Sequence, residues 1–282
     1  MKTNNLSIFV LMCAALMLSC TSQKLQLRVC TFNIRMDTPR DSLNSWAHRK
    51  DFVNALIQFH DFDIVGTQEG FIHQLEDIAR MPGWAFVGVG RDDGDRGGEF
   101  SAIFYKTTLF DLLDNGDFWL SETPDVPGKG WDATCCHRIC SWAKFRDKKT
   151  KTEFFVFNVH FDHQGVVARR ESSKLMIEKI KEIAGDAPVI ALGDFNATPE
   201  SEPMQIMLNY LSDAFEISAT PPYGPVGTFN GFRLNAPMRN RIDYVLLSKH
   251  FSVLKYGALT DFLEQRFPSD HLPVMADLVV SR

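Results

Sequence analysis

The sequence predicts an α/β protein in which sheets pack face to face and are covered on the outside by helices. Three observations carry that prediction. Runs with strand period and runs with helix period alternate through both halves of the chain. Several neighbouring strand runs are joined by turns short enough for hairpins, so the sheets contain antiparallel pairs. No Ser/Gly linker, charge block or low-complexity tract divides the 282 residues, which points to one domain.

The first 19 residues stand apart. Lys2 precedes an apolar run over 6–18, too short to span a membrane and of the length of a signal peptide's hydrophobic region. The small residue Ser19 before Cys20 resembles a bacterial lipoprotein processing site. That resemblance implies a lipid on Cys20, a tether over 20–25 and a membrane-anchored protein of the cell envelope. A plain secretory signal is the alternative, and both place the mature chain outside the cytoplasm. Removing residues 1–19 removes one positive charge, Lys2, and takes the net charge from −5 to −6.

Residues 25–34 alternate apolar and polar side chains and read as the first strand, with Asn33 near its end. Ser45 opens a helix to about 59, with Trp46, Phe52, Val53, Leu56 and Ile57 at helical spacing. A short strand over 63–69 ends in Glu69; a helix over 72–81 leads to a strand over 84–89. The acidic run 91–99 lacks the spacing of a calcium loop and reads as a solvated hairpin loop, after which Glu99 opens a strand over 100–105. Another strand lies within 109–120, followed by a Pro/Gly-rich loop over 123–134. Strands at 138–145 and 152–161 flank a tight turn, and the second ends in His160. A helix over 166–184 has one polar and one apolar face.

The apolar run 188–192 reads as a buried strand that stops at Gly193 and delivers Asp194 and Asn196, two positions apart and so on one face. A helix over 201–211 and an irregular stretch over 219–239 follow. Strands over 241–248, 252–259 and 272–280 complete the chain, with Asp243 embedded in the first and Ser269-Asp270-His271 leading into the last. Cys30, Cys135, Cys136 and Cys140 form a poor zinc pattern. Adjacent Cys135 and Cys136 are expected not to bond each other because the ring would be strained; a bridge to Cys140 or Cys30, or buried thiols, remain open.

The repeated event is a strand that ends or begins at a polar group: Asn33, Glu69, Glu99, His160, Asp194 and Asn196, Asp243, Asp270 and His271. Such groups converge when strand ends share one edge of a sandwich. Carboxylates with Asn oxygens suit Mg2+ or Mn2+, and Glu69 with Asp194 or Asp270 could hold one octahedral ion. Asp243 beside His271 would orient the imidazole and favour its charged form. A polarising metal, a positioned water and an acid are what phosphoester hydrolysis needs.

The ordered set TFN (31–33), TQEG (67–70), GEF (98–100), NVHFDH (158–163), GDFNATP (193–199), RIDYVLLS (241–248) and SDHLP (269–273) resembles the endonuclease/exonuclease/phosphatase superfamily. The resemblance implies a four-layer α/β/β/α sandwich of two mainly antiparallel sheets with outer helices, the catalytic domain covering 26–282. It implies Glu69 and Asn33 at the metal, with Asp270 as a further metal-site carboxylate. Asp194 and Asn196 would position the attacking water and the scissile phosphate; His271 would contact the phosphate, oriented by Asp243. His160 matches the deoxyribonuclease-like histidine, Glu99 resembles its carboxylate partner, and Arg138 falls at a phosphate-binding position. Trp131 and Phe229 are aromatic candidates for a substrate pocket. Gly70-Phe71 after Glu69 departs from the abasic-site endonucleases, which puts a repair role in doubt.

The expected activity is metal-dependent hydrolysis of a phosphoester, phosphodiesters first, by in-line water attack, in a monomer. A nucleic acid, a nucleotide and a phospholipid head group all fit as substrate. The acidic chain spreads its Lys and Arg, which discounts polynucleotides. A catalytically silent surface binding protein on the same scaffold is the reading from another class.

Overall fold

The computed structural model describes residues 24–280; the signal-like segment, Cys20 and most of the tether lie outside them. One six-stranded sheet has the order β11-β12-β1-β2-β4-β3, formed by Phe251–Ala258, Val274–Val280, Gln26–Asn33, Ile64–Gln68, Ile103–Lys106 and Trp84–Val87. The other has the order β5-β6-β7-β8-β10-β9, formed by Phe110–Trp119, Ile139–Asp147, Glu153–His160, Val189–Asp194, Asp243–Leu247 and Ser212–Asp213. Helices α1 (Trp46–Phe59) and α2 (Ile72–Ala79) cover the first sheet, and α3 (Val166–Ala184) and α4 (Glu202–Leu208) the second. Among the described residues no helix is long and apolar enough to cross a membrane.

Each layer follows from its sequence period. β12 alternates buried and half-buried residues, while β8 is buried at all six positions because side chains are covered on both of its faces. Helix α3 buries Ala168, Ser172, Met176, Ile180 and Ala184, a stripe at every fourth residue, and stops at Gly185, whose φ is +57°. Inward residues of the two sheets, Val29, Ile64, Phe145, Phe154, Leu192 and Val245 among them, make the central core. Each fully buried Phe contributes about 2–3 kcal/mol of hydrophobic stabilisation. The strand β9 is absent from the sequence expectation, since two residues show no period.

The topology decides where the site lies. Each sheet has one parallel pair, β1 with β2 and β7 with β8, and the remaining pairs are antiparallel. The C-terminal ends of the four parallel strands therefore share an edge with the entries to β4, β6, β10 and β12. In register, His160 on β7 and Asp243 on β10 both pair with Asp194 on β8, and Asn33 on β1 pairs with Gln68 on β2.

A buried amide ties the two sheets together beneath that edge. Asn158 on β7 donates to the carbonyls of Thr67 and Ala102 in the opposite sheet, both at 2.8 Å, and accepts from Gln68 Nε2 at 2.7 Å. Gly66 makes room for it: a Cβ there would lie 2.7 Å from Asn158 Oδ1. Three satisfied hydrogen bonds offset the cost of burying the amide.

Candidate active site

At the shared edge lies a cleft of ≈ 400 Å³ whose lining includes Glu69, Glu99, Arg138, His160, Asp194, Asn196, Asp270 and His271. Asn33 and Asp243 stand directly behind it and are fully buried. Groups from seven separate sequence motifs thus meet in one place.

Asp194 is the hub. Its Oδ1 accepts from the Asn196 backbone N–H at 2.9 Å, and its Oδ2 accepts from Asn33 Nδ2 at 3.1 Å. The same oxygen lies 3.6 Å from His160 Nε2 and 3.7 Å from His271 Nε2. Burial, then the neighbouring Asp243 charge, pushes its pKa up to about 7. Asn33 Nδ2 also donates to Glu69 Oε1 at 3.0 Å, so the amide bridges the two carboxylates, while its Oδ1 accepts from the Arg35 N–H. In this structure Asn33 meets the site through its nitrogen, not through the oxygen expected to face a metal. Asn196 has φ +47° and donates from Nδ2 to the Phe161 carbonyl.

The two histidines are driven to opposite protonation states. Burial lowers the pKa of both, but Asp243, with Oδ2 at 2.9 Å from His271 Nδ1, and the further charges of Asp194 and Asp270 carry His271 well above its ordinary value. His160 is buried beside Arg138, Arg91 and His271, which hold it well below, so it is neutral. Its Nδ1 is buried with no hydrogen-bond partner. The carboxylate partner expected for it, Glu99, instead forms a two-armed pair with Arg91 at 2.5 and 2.7 Å. Arg91 arrives from the loop read as merely solvated, and its planar fork holds both carboxylate oxygens. Even so, burial pushes the Glu99 pKa up to about 7.

Glu69 sits just beyond β2 with φ +66°, a conformation that costs a non-glycine residue and persists where surrounding contacts over-determine it. Burial would raise its pKa, yet His271, Asn33, Arg35 and the Met36 N–H hold it below the usual carboxylate range. Asp270 lies 3.9 Å from Arg35 Nε; burial raises its pKa, His271 opposes this, and the nearby Glu69 adds to the rise. Arg138 is 5% exposed, held by Asp162 at 3.4 Å and His163 at 2.8 Å, and its Nη1 is buried without a partner. That orphan donor on the cleft wall suits an incoming anion.

The donor set fits a hard divalent cation. Glu69, Asp194 and Asp270 bring carboxylate oxygens to one cleft, and the pKa values of Asp194 and Asp270 are raised by burial first, with Asp243 adding to the rise of the former and Glu69 to that of the latter. A second grouping, Asp194, Asp243 and His271, has one ligand atom from each within 4.8 Å of the others. There His271 Nδ1 is already taken by Asp243 and the ring is held protonated, so we read that trio as charge relay more than chelate.

A family model described as Endonuclease/Exonuclease/phosphatase family matches residues 30–271. The chain belongs to this family. An endonuclease/exonuclease/phosphatase family protein of Bacteroides thetaiotaomicron is 45% identical, with a TM-score of 0.89 over 92% of this chain and 100% of that one. A mannosyl-6-phosphatase of the same species is 45% identical, with a TM-score of 0.86 over 90% and 99% of the two chains. An uncharacterized protein of Acanthamoeba polyphaga mimivirus is 32% identical over 165 residues; the match spans 55% of this chain and 60% of the viral protein. The protein has the α/β sandwich of this family, whose members include phosphoester hydrolases.

Further readings need correction, and several residues were missed. Cys135 and Cys136 are bonded to each other, against the strain argument, and both line the cleft; Cys30 and Cys140 are free buried thiols. Of the two aromatic candidates, Phe229 lines the cleft and Trp131 does not. Arg35 pairs with Asp41 and reaches Glu69 at 3.6 Å, and buried Arg49 donates to the carbonyls of Ile34 and Pro268. Asn158 lay inside a quoted motif without a role. An Arg gives no periodic signal, since its long side chain reaches the site from positions no strand pattern marks.

Proposed function

We propose that this protein is a divalent-metal-dependent phosphoesterase that hydrolyses a small phosphomonoester by in-line attack of water. One observation carries the reading: Asp194 Oδ2 stands within 3.7 Å of a neutral and a protonated imidazole, in a cleft that also holds Glu69. Glu69 and Asp270 would hold the metal, Mg2+ or Mn2+ by the hardness of their oxygens, with Asn33 orienting Glu69. When bound, such an ion polarises a phosphate oxygen and neutralises developing charge.

The side chains supply the rest. Asp194, with a pKa of about 7, can accept the proton of an attacking water near neutral pH. Asn196 holds that carboxylate through its backbone N–H. His271, kept protonated by Asp243, offers Nε2–H and positive charge to a phosphoryl oxygen. Arg138 Nη1 offers a further donor at the cleft. Neutral His160 can donate one hydrogen bond without adding charge.

The sequence favoured a phosphodiester. We prefer a monoester because the 45%-identical neighbour is a mannosyl-6-phosphatase and because Arg138 adds a cation suited to a dianion. Hydrolysis of p-nitrophenyl phosphate and of bis-p-nitrophenyl phosphate, with Mg2+, Mn2+ or chelator, tests both points. Equal rates for wild type and Asp194→Ala would sink the catalytic assignment, and a wild type that hydrolyses neither ester would leave the silent binding scaffold. Export and lipidation at Cys20 are likewise proposed, resting on residues 1–20 of the sequence. Mass spectrometry of the mature N-terminus checks them, and an unmodified terminus at another residue overturns lipidation.

A further inference from the structure

Among the described residues, Phe229 is the one phenylalanine, tyrosine or tryptophan lining the cleft, and it remains 42% exposed there. Its ring lies edge-on to the imidazole of His271, centroids 5.1 Å apart at 69°, so its free surface begins where the phosphate's charge partner ends. Beside the ring, Gly231 (φ +58°) brings no side chain; a Cβ there would lie 3.5 Å from Phe229 Cε1 and Cζ.

The backbone on either side of Phe229 is tied to the catalytic groups. Thr228 Oγ1 accepts from the N–H groups of Ile242 and Asp243, both at 3.2 Å, and the Thr228 carbonyl accepts from the Leu272 N–H at 2.7 Å. The N–H groups of Asn230 and Gly231 both donate to the Asp270 carbonyl, at 2.8 and 3.0 Å. An exposed aromatic held this firmly is a preorganised contact surface, because little side-chain or loop entropy remains to be lost on binding. Elsewhere the wall offers the polar groups of Arg91, Glu99, Arg138 and His163, alongside Met36 and the Cys135–Cys136 bond.

We propose that Phe229 seats the leaving group of the substrate, and that the group it selects is a cyclic polyol, a pyranose carrying its phosphate on a side arm. The inference rests on the phosphoesterase reading above. A pyranose offers one C–H face to an aromatic ring and an edge of hydroxyls to a polar wall. A nucleobase, apolar on both faces, is served best by aromatic surface on both sides, and the cleft has it on one. The cleft's ≈ 400 Å³ accommodates a single sugar phosphate.

The test compares a hexopyranose 6-phosphate with the open-chain hexitol 6-phosphate, which keeps the phosphate and the hydroxyls but has no ring. Nucleoside 5′-monophosphates form a third arm. Wild type is expected to favour the pyranose by tenfold or more in kcat/KM. Phe229→Ala should lose about tenfold on the pyranose, mostly in KM, and less than threefold on the hexitol ester; Phe229→Trp should restore the preference. Melting temperatures confirm that each variant is folded. Equal losses on both hexose-derived esters would mean that Phe229 only buttresses His271, and would overturn the proposal. A wild type that prefers nucleotides, or that cleaves only bis-p-nitrophenyl phosphate, overturns it while leaving the phosphoesterase standing. A wild type inactive on every phosphoester overturns both.

Discussion

Replacing Asp243 by Asn changes one charge and almost no volume at a fully buried position. Its carboxylate lies 2.9 and 3.2 Å from His271 Nδ1, and it is the strongest influence that raises the imidazole's pKa. With charge centres about 4 Å apart and an effective dielectric constant of about 20, the lost attraction is on the order of 4 kcal/mol. Losing that attraction lowers the His271 pKa from its raised position. Asp194 and Asp270 remain, but burial now opposes them with less resistance. The imidazolium should therefore give way to the neutral ring around neutral pH. We expect kcat/KM at pH 7.5 to fall by about 10²–10⁴-fold. The alkaline limb of the rate profile should move to lower pH, so that part of the loss is recovered on acidification. NMR titration of histidine labelled with ¹³C at Cε1, with His271→Asn to assign the signal, measures the shift directly. A variant whose His271 stays protonated and whose rate remains within threefold of wild type would refute the charge-relay argument.

Three further outcomes are expected. Chelator should abolish hydrolysis and Mg2+ or Mn2+ restore it; Glu69→Gln should raise the metal concentration for half-activation about tenfold or more, since it removes the site's most firmly ionised carboxylate. A midpoint unchanged in that variant would move the metal elsewhere. His271 has a folded-state pKa above its unfolded value, so its stabilising contribution is full below pH 6.5 and is lost as pH rises through the folded-state pKa. In chelator, the difference in urea midpoint between wild type and His271→Asn should shrink on going from pH 6 to alkaline pH, and a widening gap would contradict the sign. Asn158→Ala should cost about 2–4 kcal/mol, because the Thr67 and Ala102 carbonyls lose buried donors. It should also weaken Mn2+ binding, as followed by electron paramagnetic resonance, whereas a core truncation of equal cost far from the cleft should not.

The vicinal cysteines show how local reasoning can mislead. A strained eight-membered ring argued against the Cys135–Cys136 bond, yet the chain places that bond on the cleft wall two residues before Arg138. The left-handed backbone at Arg35, Glu69 and Asn196 is a second feature of the cleft, a costly conformation that persists where surrounding contacts hold it. None of it is visible in a hydrophobic pattern.

By itself the sequence determined the layers. Helix burial repeats about every fourth residue and buried strands are short apolar runs, so α3 at Val166–Ala184 and the strands around Asn33, His160 and Asp194 could be read directly. The same logic found the polar residues at the strand ends. Only the tertiary structure decided who partners whom: Glu99 with Arg91 in place of His160, Asn33 as a bridge between Glu69 and Asp194, and Asn158 as the tie between sheets. Those contacts join groups up to 161 positions apart, and they depend on how two twisted sheets are stacked. A periodic signal reports which way a side chain points; what it meets there is set by the other sheet.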